Sequence, residues 1–349
     1  MMLDFYKGKN IFISGHTGFK GTWLSKILIM AGANVTGYAL RPDTEPNLFE
    51  LSYIDKNINS IIGDVRDFEL LKNCFDSVKP DIVFHLAAQP LVSAGYDMPR
   101  YTFETNVMGT VNILESMRLS GGVKSFVNIT TDKVYRNNVT ARGFKEEDCL
   151  DGYDPYSNSK SCSELVTNSY RNSFFTDNTA ISTVRAGNVI GGGDFAPGRI
   201  IPDCIRAAAA GENIEVFNPY AVRPYQHVLE ALGVYLMIAE KQYSNIEYSG
   251  CYNVGPGECG CINNESLVQM FCDEWGGISW HEADNKNGFH EADILRLDCS
   301  KLQSVFNWRP SWCISTAVKK TVEWTKAFLN GENPDDIMEK QIKEFFLSD

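Results

Sequence analysis

Residues 10–24 read NIFISGHTGFKGTWL, and the fold follows from that stretch. NIFISG (10–15) is a short apolar run suited to a buried strand. Trp23, Leu24, Ile27 and Leu28 then recur at helical spacing, up to Gly32. Between strand and helix lie Gly15, Gly18 and Gly21, spaced as GxxGxxG, with Thr17, Phe19 and Lys20 completing the loop. Glycines there let the backbone turn tightly and approach a pyrophosphate, while the helix N-terminus offers free N–H groups and a positive dipole end. Three glycines alone fit any turn; the strand–motif–helix context favours a dinucleotide site.

Outward from this unit the chain keeps alternating. Strands are predicted at 34–40, 58–64 and 81–88, from Phe126 onward, and at 180–188; helices at 68–78, 100–119 and 154–174 separate them. Strands joined through helices imply parallel crossovers, so the expected class is α/β, a Rossmann-type doubly wound parallel sheet. Ligands of such sheets bind beyond the carboxyl ends of the strands. After about residue 187 the pattern loosens into helices at 201–210, 227–241, 263–275 and 313–329, short strands, and the loops GGGDFAPGR and NVGPGECG. The expected division is a dinucleotide-binding domain over 1–187 and a smaller substrate-binding α/β domain over 188–349, partly interleaved with it.

The bulk properties narrow the function. A chain of 349 residues can bury a full core. Its formal charge of −12 argues against nucleic acid or an anionic membrane as partner. No run is long and apolar enough to span a bilayer, and Asp4 in the N-terminal segment argues against a signal peptide. The ten cysteines are scattered and lack paired metal-ligand spacing, so free thiols, a cytoplasmic location and no metal are expected.

Two further stretches carry chemistry. FVNITTDKVY (126–135) begins as a strand and ends on Thr130, Thr131, Asp132 and Lys133, a hydroxyl, a carboxylate and an amine at the sheet's carboxyl edge. DPYSNSK (154–160) opens a helix, with Asp154 as N-cap and Pro155 at the first position. Tyr156 and Lys160 therefore share one helix face. A lysine beside a phenol and a cofactor ribose lowers the phenol's pKa, so that the phenolate can take a proton from a sugar hydroxyl. A YxxxK pair by itself is common on surfaces; behind a dinucleotide loop and a hydroxyl-ended strand the catalytic reading is favoured.

Together, GxxGxxG, Thr131 and YxxxK resemble the extended short-chain dehydrogenase/reductase family, and TTDKVY resembles the signature of its nucleotide-sugar 4,6-dehydratases. HLAAQPLV, RAGNVIGGGDFAPGRIIPD, RPYQHVLEAL and HEADILRLDCSKL extend the likeness over nearly the whole chain, closest to the CDP-glucose branch. The resemblance implies NAD, held by the glycine loop with Arg41, Asp64, Val65, Leu86, Ala87, Ala88, Gln89, Asn106, Tyr156 and Lys160. At the end of the second strand stands Arg41 where an acid would hold ribose hydroxyls, which by itself leans towards NADP. The resemblance outweighs that lean. It also implies a nucleotide-sugar substrate and a homodimer built on helices 100–119 and 154–174.

A simple dehydrogenase needs only Thr131, Tyr156 and Lys160. Elimination of water across C5–C6 of a hexose needs an acid and a base more, the roles expected of Asp132 and Lys133. Many related dehydratases have a glutamate at the Lys133 position. Asn188, Arg199, Arg223, Gln226, His290 and Arg296 are expected to hold the substrate, the arginines on its diphosphate. The alternatives are another dehydratase or an epimerase on the same fold, or a non-catalytic dinucleotide-binding regulator.

Overall fold

The computed structural model describes residues 2–136, 142–176, 178–257, 260–283 and 294–347. In chain order the strands are β1 (Asn10–Ser14), β2 (Asn34–Ala39), β3 (Asn59–Ile62), β4 (Ile82–His85), β5 (Ser125–Ile129) and β6 (Ala180–Ala186), then β7 (Asn188–Ile190), β8 (Ile214–Val216), β9 (Val222–His227), β10 (Cys251–Val254), β11 (Cys261–Asn263) and β12 (Trp280–Glu282). The helices are α1 (Phe19–Met30), α2 (Leu48–Leu51), α3 (Phe68–Val78), α4 (Val92–Asp97), α5 (Pro99–Phe103), α6 (Gly109–Ser120) and α7 (Pro155–Phe174). They continue with α8 (Ile200–Ala210), α9 (Val228–Ser244), α10 (Asn264–Trp275), α11 (Ser300–Phe306), α12 (Ile314–Leu329) and α13 (Pro334–Leu347).

The main sheet runs β3–β2–β1–β4–β5–β6–β10, every neighbouring pair parallel. Alternate residues of a strand face opposite sides, and helices cover both. Ile11, Ile13, Phe84, Val127 and Val184 pack with Trp23, Leu24 and Leu28 of α1 and with α9. Phe12, Val83, Phe126 and Ile181 pack on the other side with Leu71 and Phe75 of α3 and Ile113 and Leu114 of α6. The order reverses between β1 and β4, so a crevice opens at their carboxyl ends, beside the glycine loop. The doubly wound Rossmann-type class is the observed one.

Beyond residue 187 the chain serves two cores. β10 extends the main sheet and α9 fills one face of it. The sheet β11–β9–β7 and helices α8, α10 and α12 enclose a separate core around Ile201, Leu267, Phe271 and Val318. Three details depart from the sequence pattern. The helix expected over 100–119 is interrupted by a π turn at Glu104–Met108, which carries Asn106 inward. The strand expected over 180–188 ends at Ala186; Gly187 lies so close to Pro224 that a Cβ there would stand 2.6 Å from its carbonyl oxygen. α13 was not anticipated, although Asn333, Pro334, Asp335 and Asp336 form a legible N-terminal cap.

α9 buries Glu230, whose Oε1 accepts the N–H groups of Ser311 and Trp312 at 2.9 and 2.5 Å. Burial outweighs both bonds and pushes its carboxyl up to about 7, from an ordinary 4.5. The folded chain therefore holds an extra proton between those values, and this residue's contribution to stability falls as pH rises from about 4.5 to 7. Glu230→Gln keeps the acceptor and removes the titration. Denaturant unfolding at pH 5 and pH 8 should show the variant gaining on the wild type at the higher pH by roughly 2 kcal/mol. Parallel pH profiles would show that the carboxyl carries no such burden.

Candidate active site

The glycine loop is built by two glycines for the chain itself and one for something else. Gly15 adopts φ +82°, and a Cβ on it would lie 2.7 Å from the Ala87 nitrogen just past β4. A Cβ on Gly21 would lie 2.1 Å from the Gly15 oxygen. Gly18 is exposed, is the N-cap of α1, and has only the Gly15 oxygen, 3.6 Å from an added Cβ, near it. No protein contact requires glycine there. An approaching phosphate does, and α1 has no capping side chain to compete for its first N–H groups. The loop thus fits a dinucleotide.

Around the loop, Leu86, Ala87 and Ala88 leave β4, tied to β1 by the Leu86 N–H on the Ser14 carbonyl. Asn106 accepts the Gln89 N–H at 2.8 Å and donates to the Gln89 carbonyl and to Ser159 Oγ. Gln89 bonds Thr102 and the Leu91 N–H. The polar ends of Gln89 and Asn106 are therefore spent on holding the loop against α7. Asp64 is likewise engaged, gripped by the Arg66 guanidinium, which holds its carboxyl below the usual range. Val65 packs under Gly109. Arg41 is exposed just past β2, next to Leu40, whose carbonyl accepts the Thr17 hydroxyl.

α7 carries Tyr156 in its first turn, capped by Asp154, whose Oδ1 accepts the Ser157 N–H. Its inner face is made of short hydroxyls. Ser159 meets Asn106, Ser163 meets Thr110 and Asn128, and Thr167 meets Asn128. Gly95 of α4 lets the start of α7 approach closely, since a Cβ there would stand 3.1 Å from the Tyr156 nitrogen. Tyr156 and Lys160 are both buried, and Lys160 Nζ donates to the Ile129 carbonyl at 3.1 Å.

β5 ends in a single 3-10 turn, Asp132–Val134. Thr131 Oγ1 donates to Asp132 Oδ1 at 3.0 Å, and Lys133 Nζ lies 3.7 Å from the same oxygen. Asp132 Oδ2 is buried with no hydrogen-bond partner among the described residues. Burial pushes the Tyr156 phenol up to about 12; the Thr131 hydroxyl and Arg199 pull it down, while Asp132 and Asp154 push it up. The expected lowering by Lys160 is not what the site presents, because burial dominates. Lys160 is itself lowered to about 8 by burial and by Lys20, against Glu164.

Lys20 was expected only as part of the phosphate loop. It is half-buried, and its ammonium is lowered to about 8, first by burial and then by Arg199, with Lys133 adding to the effect and Asp132 and Asp194 opposing it. It therefore belongs electrostatically to the acid–base groups as well. Asp194, within the GGGDFAPGR loop, pairs with Arg199 at 2.9 Å and was not singled out from sequence.

Comparison with known proteins now bears on this geometry. The family model described as GDP-mannose 4,6 dehydratase matches residues 12–321. The chain belongs to this family of extended short-chain dehydrogenase/reductases. A CDP-glucose 4,6-dehydratase of Salmonella typhimurium is 43% identical, over 98% of this chain and 97% of its own. Among solved structures, a dTDP-glucose 4,6-dehydratase from Bacillus anthracis in complex with NAD superposes with a TM-score of 0.77 at 21% identity, over 94% of this chain and 99% of its own. A UDP-glucose 4-epimerase from Thermotoga maritima with UDP-glucose superposes at 0.78 and 21% identity, over 92% and 99%. At those identities the structures establish the shared fold.

Several of the residues expected to hold the substrate lie on or beside β7 and β9. Asn188 of β7 lies in register with Tyr225. Gln226 donates to the Val254 carbonyl at 3.3 Å, and its Oε1 is buried without a hydrogen-bond partner among the described residues. Arg223 is buried and donates to the Val222 carbonyl, and Arg199 stands at the N-cap position of α8 without a side-chain bond to it. Arg296 is exposed on the segment beside the start of β9, where Leu295 N–H reaches the Val222 carbonyl. His290 lies outside the described residues.

The two kinds of glycine should separate on mutation. Gly18→Ala should keep stability within about 1 kcal/mol while retention of bound dinucleotide, measured as nucleotide released on denaturation, falls sharply. Gly21→Ala should instead lower stability by about 1–3 kcal/mol, since the Gly15 carbonyl must move. Equal effects of both on stability would remove the distinction.

Proposed function

We propose that this chain is an NAD-dependent nucleotide-sugar 4,6-dehydratase, a hydro-lyase converting CDP-D-glucose to CDP-4-keto-6-deoxy-D-glucose. The observation that carries the reading is the buried Asp132 carboxyl, with an oxygen that has no hydrogen-bond partner among the described residues, meeting both Thr131 and Lys133, while Thr131 in turn bonds the Tyr156 phenol. An epimerase has no use for that pair. The choice of CDP-glucose is supported by the Salmonella relative, whose name states that substrate.

NAD, when bound, supplies a two-electron acceptor for hydride from C4, which it later returns to C6. Tyr156 takes the proton of the 4-hydroxyl, with Thr131 holding that hydroxyl and the phenol in line. Bound substrate and cofactor must bring the phenol down from about 12, and the Lys160 amine is the group positioned one helical turn away to help. The 4-ketone acidifies C5–H. Neutral Lys133 removes that proton, and Asp132 Oδ2 delivers one to the departing 6-hydroxyl, so that C5=C6 forms as the C6–O bond breaks. The Lys133 ammonium then returns its proton to C5 as C6 would regain the hydride, and the proton Tyr156 took from the 4-hydroxyl balances the one Asp132 gave up, leaving the 4-keto-6-deoxy sugar and water. Arg223 and Arg296 are assigned to the diphosphate, with Asn188 and Gln226 beside them; Arg199, paired to Asp194, lies nearer the reacting end.

We assign the NAD-bound enzyme to the cytoplasm as a homodimer. No helix among the described residues is long and apolar enough to cross a membrane, and Cys74, Cys204 and Cys299, among others, are free thiols. Met108, Leu119, Leu165 and Phe174 are exposed on the π turn, α6 and α7, an apolar face suited to a second copy.

Purified protein given CDP-glucose without added cofactor should yield a product lighter by one water, with GDP-mannose and dTDP-glucose unchanged. A change of stereochemistry at constant mass would make the chain an epimerase, and no change with bound NAD would favour the regulator. Lys133→Met should retain NAD and lose about 10²–10⁴-fold in product formation; unchanged turnover removes the base assignment. Leu165→Glu should sediment as a monomer if the helical face is the dimer seam.

A further inference from the structure

The last residue of TTDKVY has no role in the reaction as written, yet it is the most heavily engaged of the six. Tyr135 is buried, its ring stacked on Phe144 at 4.9 Å between centroids and 5° between planes. Its hydroxyl donates to Asn253 Oδ1 at 2.6 Å and accepts from Arg185 Nη1 at 2.9 Å. Asn253, on β10, donates onward to the carbonyls of Phe144 and Asp298 at 2.8 and 3.2 Å. Phe144 N–H in turn bonds the Arg296 carbonyl, and Asp298 N–H bonds the Phe144 carbonyl. An unbroken set of hydrogen bonds thus runs from the acid–base turn to the backbone of Arg296.

The other end of the turn is held by the same ion pair. Glu164 Oε2 meets Arg185 Nη2 at 2.8 Å, and Glu164 Oε1 accepts the Thr130 hydroxyl at 2.5 Å. Arg185 therefore links Tyr135, just after Lys133, to the Glu164 that fixes Thr130, just before Thr131. The turn is clamped at both ends, and one clamp is shared with the segment that carries Arg296.

We propose that Tyr135 is a positioning residue that couples the Asp132–Lys133 turn to engagement of the substrate diphosphate by Arg296. The proposal rests on the dehydratase reading. Its consequence is specific to one step. Oxidation at C4 uses Tyr156 and Thr131, which Tyr135 does not touch, whereas elimination needs Asp132 and Lys133 within tenths of an ångström of C5–H and O6.

Tyr135→Phe keeps the ring on Phe144 and leaves the Glu164–Arg185 pair in place. In single-turnover mixing with CDP-glucose, the rise of reduced-nicotinamide absorbance should match the wild type. Loss of water, followed by mass, should slow tenfold or more, so that reduced cofactor accumulates, with KM within twofold. Arg296→Met should slow elimination in the wild type but add little to Tyr135→Phe, a non-additivity that marks a shared path. A Tyr135→Phe enzyme with both steps intact overturns the proposal. So does one in which both steps fall in proportion together with thermal stability, which is the mark of a structural role. If the wild type forms reduced cofactor but never loses water from CDP-glucose, it is the dehydratase reading that fails, and the coupling falls with it.

Discussion

The Glu164–Arg185 ion pair is the constraint on which the reacting end of this molecule depends. Both side chains are almost fully buried, where charge is costly unless every lone pair and N–H is occupied. Here the carboxylate is met by Arg185, Thr130 and Thr183, and the guanidinium by Glu164, Tyr135 and the Glu146 carbonyl. Only Arg185 Nε among its nitrogens lacks a hydrogen-bond partner among the described residues. Those contacts come from α7, β5, β6 and the loop after β5. The pair therefore acts on geometry more than on net stability: removing one partner leaves a buried charge unmatched, at a cost of about 3–5 kcal/mol. The elements it joins are the ones that carry Tyr156, Lys160, Thr131 and Lys133.

A similar logic governs the seam under α7. An apolar helix face would pack at the distance its side chains dictate and tolerate sliding. The hydroxyls of Ser159, Ser163 and Thr167 are short and directional, and they fix rotation and depth against Asn106, Thr110 and Asn128. Asn106 reaches that seam because the π turn brings it inward, and Gln89 reaches it because Asn106 holds its backbone. Gln89 and Asn106 thereby join the loop after β4 to α7. The Tyr156 and Lys160 side chains then need little freedom of their own to point into the crevice.

What was legible in the sequence was what is local. The glycine loop, the cap at Asp154 and the Tyr156–Lys160 spacing each depend on residues within one turn, so pattern alone places them. The alternating strands predicted the sheet because burial on both faces leaves continuous apolar runs. What escaped depends on contacts across the fold. Glu164 and Arg185 are 21 positions apart in the chain, so no local spacing pairs them. Asp194 matters only because its loop folds back beside Lys20 and Asp132. The raised Tyr156 phenol follows from burial that no spacing reveals, and the lysine next to it does not reverse the effect. The π turn sets Asn106 into tertiary hydrogen bonds with Gln89 and Ser159, partners that the local helical period through 100–119 does not report.

The charge pattern closes the argument. The chain carries a net −12, yet Lys20, Lys133, Lys160 and Arg199 gather at the crevice, answered by Asp132, Asp194 and Glu164, the last already paired with Arg185. That local gathering of cations favours an anionic ligand in an otherwise repelling surface. Burial lowers the Lys20 and Lys160 amines, and neighbouring cations add to it, Arg199 and Lys133 at Lys20 and Lys20 at Lys160. One arrangement thus serves two ends that usually conflict: attraction of an anion, and easier loss of the proton from Lys20 and Lys160. A glutamate at position 133 would be a base without help but would subtract a positive charge and add a negative one. Lysine at that position keeps the positive charge, beside Lys20 at the start of α1.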